Sequence, residues 1–293
     1  WASGFRMNPY VIALLLVTLV WGATFPVIKV VTSQLSGIEV SALRFLAAAV
    51  ILAPSAMQAR WNTWRDGAVL GAVALVSYVA QAYGLEFISS NRSAFLTSLN
   101  VLMVPLLGIA LGARPSLVTL IAACVACGGI ALMSWDGGAH LLADAATVLS
   151  ALAYAIYVIV LSQRTQRHKP QELAATQVIW MALIGGLWLT LDAWHTSPVW
   201  TLPSRLSPAI VAGIIFLGIV ATAGMLFLQA LAQKHVAAEK AALIYAMEPV
   251  FAAAFAWAWL AEVLSPQAAV GAALVVFAIV MSEWTQGQGR KPT

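Results

Sequence analysis

Apolar residues dominate this chain in long runs, and its polar residues fall in short clusters between them. Ten runs are long enough to cross a bilayer, which takes about 20 mostly apolar residues. They cover 9–32, 38–57, 66–88, 93–112, 116–134, 142–163, 172–192, 208–231, 238–261 and 266–283. The clusters between them hold turn residues and charges, as in "QARWNTWRDG" and "SQRTQRHKPQ". The runs use nearly the whole chain, so no separate soluble domain fits. The first is too long for the core of a cleaved signal. The pattern predicts an all-α membrane protein with ten transmembrane helices.

Composition agrees. Of 293 residues, 62% are hydrophobic and 9% charged, against roughly 25% charged in soluble domains. The bilayer is therefore the expected solvent and partner. The net charge of +4 is dispersed, and no basic patch points to nucleic acid. The basic residues set the orientation. Arg6, Arg60, Arg65, Arg114, Arg164, Arg167, Lys169, Lys234, Lys240, Arg290 and Lys291 fall on one side. Lys29, Arg92 and Arg205 fall on the other, and Arg44 lies inside the second run. The positive-inside rule then puts both termini in the cytoplasm.

The runs also repeat. Pro105 in "LNVLMVPLLGIALG" sits like Pro249 in "LIYAMEPVFAAAFA", at an offset of 144. Trp21 and Thr24 align with Tyr154 and Tyr157 at an offset of 133. The chain therefore reads as two five-helix units, 1–138 and 139–293. Five is odd, so the two copies cross the membrane in opposite senses. Inverted repeats of this kind are common in secondary transporters, with the substrate site near the midplane where the repeats meet.

Four motifs in order carry a resemblance: "WGATFPVIK", "SALRFLAAA", "SAFLTSLNVLMVPLLGIALG" and "AALIYAMEPVFAAAFAWAWLAE". With these the chain resembles the ten-helix EamA-type transporters of the drug/metabolite transporter superfamily. Within them it is most similar to the bacterial aromatic amino acid exporters called YddG. The resemblance implies a protein of the bacterial inner membrane. It also implies a central cavity lined by spans 1, 3, 4, 6, 8 and 9, with spans 5 and 10 peripheral. One departure is visible: Glu262 ends the ninth span, as is usual in the family, but Ala113 and Arg114 stand at the corresponding place in the first copy.

Polar residues inside the runs give candidate cavity positions, because side chains three and four apart share a helix face. Trp21 and Thr24 share one, as do Tyr78 and Gln81. Ser93, Thr97 and Asn100 form a stripe; so do Ser150, Tyr154 and Tyr157, and Tyr245 with Glu248. Lipid would not reward such faces, so they are expected to point inward, either lining the cavity or joining helices. Glu248 lies about ten residues into its run, hence about 15 Å deep. It reads in two ways: as a proton carrier or partner for a substrate ammonium, or as a structural carboxyl bonded to a carbonyl that Pro249 frees. Pro105 and Pro249 mark matching helix bends. Arg44 sits about two turns from the outer surface, where its head can snorkel out or pair with a carbonyl, with lining of the pathway as the less favoured reading. Lys29, near the end of its run, reads the same way.

Little points to other chemistry. Cys124 and Cys127 form "CVAC" inside an apolar helix beside two glycines, which reads as small-residue packing rather than a metal or redox pair. His140, His168, His195 and His235 all fall in loops or at run ends. No metalloprotease, nucleophile-elbow or phosphate-loop motif occurs. The expectation is a protein that is not an enzyme, with no metal, no cofactor and no required ATPase subunit. The expected function is secondary transport, exporting small organic solutes, above all aromatic and other neutral amino acids, by alternating access. The alternatives are a multidrug or organic-cation exporter and, less favoured by a two-copy chain with one central cavity, a channel. Its partners would be a small-molecule substrate and the bilayer, the chain acting as a monomer or weak homodimer.

Overall fold

Several apolar runs begin where a side chain or a proline stops the preceding loop. The Asn8 side chain accepts the Tyr10 N–H at 2.9 Å, with Pro9 as the first helical residue. Ser36 and Glu39 form a reciprocal capping box, and Ser207 caps a helix that opens on Pro208. Such caps satisfy amide groups that have no partner within the helix.

The computed structural model describes residues 8–88, 90–134, 140–192, 202–260 and 265–289. Arg6, His195, Glu262, Arg290 and Lys291, used in the sequence reading, lie outside them. The helices are α1 (Pro9–Val31), α2 (Gly37–Ala56), α3 (Trp61–Phe87), α4 (Ser90–Ser98), α5 (Asn100–Ala110), α6 (Leu117–Ser134) and α7 (Leu141–Arg164). Then come α8 (Pro170–Asp192), the short α9 (Leu202–Arg205) and α10 (Pro208–Ile215). A π-helical segment, Phe216–Gly224, follows, and then α11 (Met225–Gln233), α12 (Ala238–Tyr245), α13 (Glu248–Leu260) and α14 (Pro266–Gly289). No strand occurs among the described residues.

Among the described residues, eight helical stretches are long and apolar enough to cross a membrane: Pro9–Val31, Gly37–Ala56, Trp61–Phe87, Arg92–Ala110, Leu141–Arg164, Pro170–Leu191, Pro208–Gln233 and Ala238–Trp259. The fifth and tenth runs contribute shorter apolar helices, Leu117–Leu132 and Ala269–Met281. These two pack mainly on each other, since α6 and α14 form one of the most extensive helix pairs in the molecule.

The runs that hold Pro105 and Pro249 are each broken into two helices. Between α4 and α5 the chain turns at Leu99. Between α12 and α13 it turns at Ala246 and Met247, whose amides bond three residues back, at 3.1 and 3.0 Å. Pro249 is the second residue of α13, where no helical N–H bond is needed. Helix α1 packs on the start of α13, and Gly22 permits it: a Cβ there would lie 2.6 Å from the Phe251 Cβ and 2.9 Å from the Ala252 amide nitrogen.

The core forms three apolar clusters. The largest holds Leu14, Val17, Trp21, Tyr154, Tyr157, Leu161 and Tyr245, among others. A second, around Phe25, Ile28, Leu85, Ala94 and Leu217, fills the opposite end of the bundle. The third joins α6 and α14 to the broken helices, with the buried Cys127 in its packing. Lys29 does not reach freely outward. Its ammonium donates to the carbonyls of Leu85 and Ile88, at 2.8 and 3.2 Å, capping the end of α3, where a cation suits the helix dipole.

Candidate functional site

Two devices place side chains at the centre of the bundle. One is the turn at Ala246–Met247, which starts a new helix at Glu248 beside Gly22 of α1. The other is the π-helical segment, whose wider turns release backbone and hydroxyl groups for outside partners. The carbonyl of Ala221 accepts the indole N–H of Trp21 at 2.9 Å. The Thr222 hydroxyl donates to Leu217 O, five residues back, at 2.7 Å, and accepts from Nε of Arg44 at 3.0 Å.

These residues enclose a small cavity of about 30 Å³, lined by Trp21, Thr24, Arg44, Ser77, Tyr78, Gln81, Thr97, Tyr154 and Glu248. That is room for about one water molecule, so the present conformation is closed around its centre. The walls come from α1, α2, α3, α4, α7 and α13. Within them, Gln81 Nε2 donates to the Thr97 hydroxyl at 3.4 Å, and that hydroxyl donates to Ser93 O at 2.8 Å.

Arg44 and Glu248 are the two charged groups of the cavity, 3% and 8% exposed. The Arg44 guanidinium lies over the Tyr78 ring, 4.8 Å from its centroid, and beside Phe45 at 5.8 Å, a cation–π setting. Among the described residues no acid pairs with Arg44, and the Glu248 carboxyl makes neither an ion pair nor a hydrogen bond. The other two buried charged residues differ. Glu39 is bound by Arg205, and Glu172 pairs with Lys169 at 2.9 Å.

Below the cavity, toward the start of α1, lies an aromatic floor. The Tyr154 ring meets those of Trp21, Tyr157 and Tyr245 at centroid distances of 5.9, 5.8 and 5.8 Å. The Tyr154 hydroxyl accepts from Gln229 at 3.0 Å, and the Tyr245 hydroxyl donates to Gln233 at 3.3 Å. Beside them the Tyr157 hydroxyl and the Gln177 amide lie buried against each other.

Of the positions the sequence singled out, Trp21, Thr24, Tyr78, Gln81, Thr97, Tyr154 and Glu248 meet at the cavity. Four others sit behind its walls. Tyr157 and Tyr245 belong to the floor. Asn100 turns its amide N–H to Thr97 O at 2.7 Å, and Ser150 joins helices through Ser77, 3.1 Å between the hydroxyls. Pro105 lies inside α5, six residues past the break at Leu99. Arg44 and Ser77 are cavity residues that the sequence reading did not place there; Arg44 does not snorkel. The expected contribution of span 8 comes through Thr222 and the Ala221 carbonyl, which hold Arg44 and Trp21 rather than line the space.

A larger apolar cleft, about 320 Å³, lies apart, between α1, α10 and α13. Pro26, Val30, Ala212, Phe216 and Trp259 wall it. Its lining carries no charged side chain, so it offers no polar recognition.

Comparison with known proteins gives a consistent picture. The model of the EamA-like transporter family matches twice, at residues 8–135 and 141–284. An uncharacterized transporter of Archaeoglobus fulgidus is 24% identical, over 92% of this chain and 84% of that protein. A protein of Streptantibioticus cattleyicolor named as a probable terminal-alkyne amino-acid exporter is 28% identical, over 94% of each chain. A solved crystal structure superposes with a TM-score of 0.77 at 16% identity, covering 98% of this chain and all of the other. At that identity the superposition speaks to the fold alone.

Proposed function

The chain belongs to the EamA-like transporter family, and on that premise we propose that this multi-pass membrane protein carries small organic solutes, above all aromatic and other neutral amino acids, by alternating access. One observation carries the reading: a closed cavity with aromatic walls, hydroxyl and amide groups and two buried charges lies deep in the helix bundle. Binding at mid-depth, between apolar clusters that fill the two ends, is what a carrier requires. Amino acid export is named for one relative only, at 28% identity; it supports the substrate class without fixing it. The finer likeness to the YddG exporters is part of the same proposal.

Under this reading the chain crosses the membrane ten times as two inverted units, 1–138 and 139–293, with both termini in the cytoplasm of a bacterial inner membrane. The double match of the family model supports the division. So does the packing. Exchanging the units maps the α2–α8 and α6–α14 pairs onto themselves, and maps α3–α7 onto α1 with the π segment and its flanking helices; all four contacts are extensive. Alternating access would part the Tyr157–Tyr245 floor and the Phe25 cluster in turn, bending at the breaks before Pro105 and Pro249. The transported solute and the bilayer are its partners, and no ATPase subunit is needed.

The runner-up is an organic-cation exporter, which the aromatic walls and Glu248 would suit; Arg44 in the same cavity opposes it. The test is uptake into liposomes holding the purified protein, across a panel of neutral and aromatic amino acids and of quaternary ammonium compounds. Saturable uptake of amino acids with no uptake of the cations supports the assignment. The reverse selectivity overturns it.

A further inference from the structure

We propose that Arg44 and Glu248 are the two poles of a single recognition site, Arg44 taking the α-carboxylate of an amino acid and Glu248 its α-ammonium. The proposal rests on the reading of the chain as an amino acid carrier and goes further. It requires both charged groups to be free on the solute, so the corresponding amines, amides and deaminated acids are rejected.

Four charged side chains are buried in the described structure: Glu39, Arg44, Glu172 and Glu248. The first and third are ion-paired, to Arg205 and Lys169. Arg44 and Glu248 are not, yet both open onto the same cavity. A buried charge without a counterion is costly, and the cost falls when a complementary charge arrives. Arg44 is held in place while its donors stay available. Only Nε is engaged, by Thr222, and Tyr78 supports the guanidinium face. The terminal nitrogens of such a fork suit a carboxylate. The Glu248 carboxyl is fixed at the first residue of α13 and can accept from an ammonium.

Charge balance selects the solute. An arriving ammonium favours the ionised Glu248 carboxylate, so the loaded site presents one positive and one negative pole, which a zwitterion matches. A lone cation or anion would satisfy one pole and leave the other unmatched. The two halves differ at these positions. At the 133-residue offset Arg44 corresponds to Gln177, and at the 144-residue offset Glu248 corresponds to Val104. Neither charge is needed to build its five-helix unit, since the other unit folds with an uncharged residue there. The aromatic surfaces of Trp21, Tyr78 and Tyr154 remain for the substrate side chain. A cavity of about 30 Å³ cannot hold an amino acid, so the poles engage it as the bundle opens.

The experiment is counterflow of labelled L-phenylalanine and L-leucine in liposomes, challenged with unlabelled phenylalanine, phenylalanine amide, phenethylamine and hydrocinnamate. In the wild type, phenylalanine should compete and the other three should be weaker by about tenfold or more. Arg44→Gln should stop distinguishing phenylalanine from its amide. Glu248→Gln should stop distinguishing phenylalanine from hydrocinnamate. The wild-type competitor series stands by itself if a variant fails to fold, and Arg44→Lys and Glu248→Asp, which keep the charges, provide a second pair. Equal competition by the amide or by hydrocinnamate in the wild type overturns the two-pole site while leaving amino acid transport intact. So does unaltered discrimination in both folded Gln variants. Absence of any amino acid counterflow overturns the transport reading itself, and the two-pole site with it.

Discussion

The Trp21 ring meets the Tyr154 ring edge to face, with centroids 5.9 Å apart, and its indole N–H is held by the Ala221 carbonyl at 2.9 Å. The two residues lie 133 apart in sequence, one in each segment that the family model matches, so the contact joins the two halves of the chain at the centre of the bundle. Edge-to-face pairs contribute about 0.5–1.5 kcal/mol beyond the area they bury. Trp21→Phe keeps an aromatic ring of smaller size and loses the hydrogen bond to Ala221, at a cost of about 1–3 kcal/mol. Trp21→Ala removes the whole contact, at a cost of about 3–5 kcal/mol. The expected outcome is a slightly lowered melting temperature with transport retained for Phe. For Ala, transport is lost in whatever protein remains folded. Initial uptake rate per folded protein, measured beside thermal unfolding, checks both.

Gly22 sets how closely α1 approaches α13, and so where Trp21 and Glu248 stand relative to each other. An added methyl would fall 2.6 Å from the Phe251 Cβ and 2.9 Å from the Ala252 amide nitrogen. Backbone on one side cannot yield, so the helices must part. Gly22→Ala should destabilise by about 1–3 kcal/mol and slow uptake. Gly128→Ala is the control, because a Cβ at Gly128 meets nothing within 4 Å. Equal melting temperatures for the two variants would count against the close approach.

Much of this architecture was legible in the sequence, because lipid imposes a simple rule on long helices. Apolar runs, the loops between them and the inward faces of α1, α3 and α7 follow from hydropathy and the three-to-four residue spacing. Arg44 did not follow. Two turns from a membrane surface, an arginine can snorkel or turn inward, and the choice depends on how α2 meets the π segment. That segment was not legible either. Its sequence is almost wholly apolar and gives no sign of the wider turns that the backbone takes over Phe216–Gly224. Asn100 and Ser150 share helix faces with Thr97 and Tyr154, but spacing alone cannot tell a residue that faces a cavity from one that joins its walls.

At the end of the bundle opposite the start of α1, Arg205 binds the buried carboxylate of Glu39 and also donates to Gln34 O at 3.2 Å. The hydrogen bond to Glu39 raises the arginine's affinity for its proton above the ordinary value, so the pair does not open through deprotonation of Arg205. Arg205→Gln leaves Glu39 without its counter-charge and should cost about 1–3 kcal/mol. Adding Glu39→Gln should recover part of that loss. Thermal unfolding of the two single variants and the double variant measures the coupling; strict additivity would mean that the pair contributes nothing.

The proposed ten-span topology places Gln34 and Arg167 on opposite sides of the membrane. Gln34 is exposed in the loop between α1 and α2, and Arg167 in the loop between α7 and α8. Cysteines introduced there, with Cys124 and Cys127 replaced by alanine, should differ toward an impermeant maleimide in intact cells. Gln34→Cys should label from outside, and Arg167→Cys only after the cells are opened. Labelling of both from outside would contradict the inverted arrangement.

The central claim is that the chain is a carrier with one solute site deep in its bundle. Counterflow tests it most directly: liposomes holding the purified protein are preloaded with unlabelled L-phenylalanine, diluted into a trace of labelled L-phenylalanine, and followed with time. A carrier that alternates around one site should give a transient overshoot of internal label, saturating with the preloaded concentration and absent from liposomes without protein. Labelled amino acid that only equilibrates, at a rate indifferent to what is inside, would contradict the account and place the protein among channels.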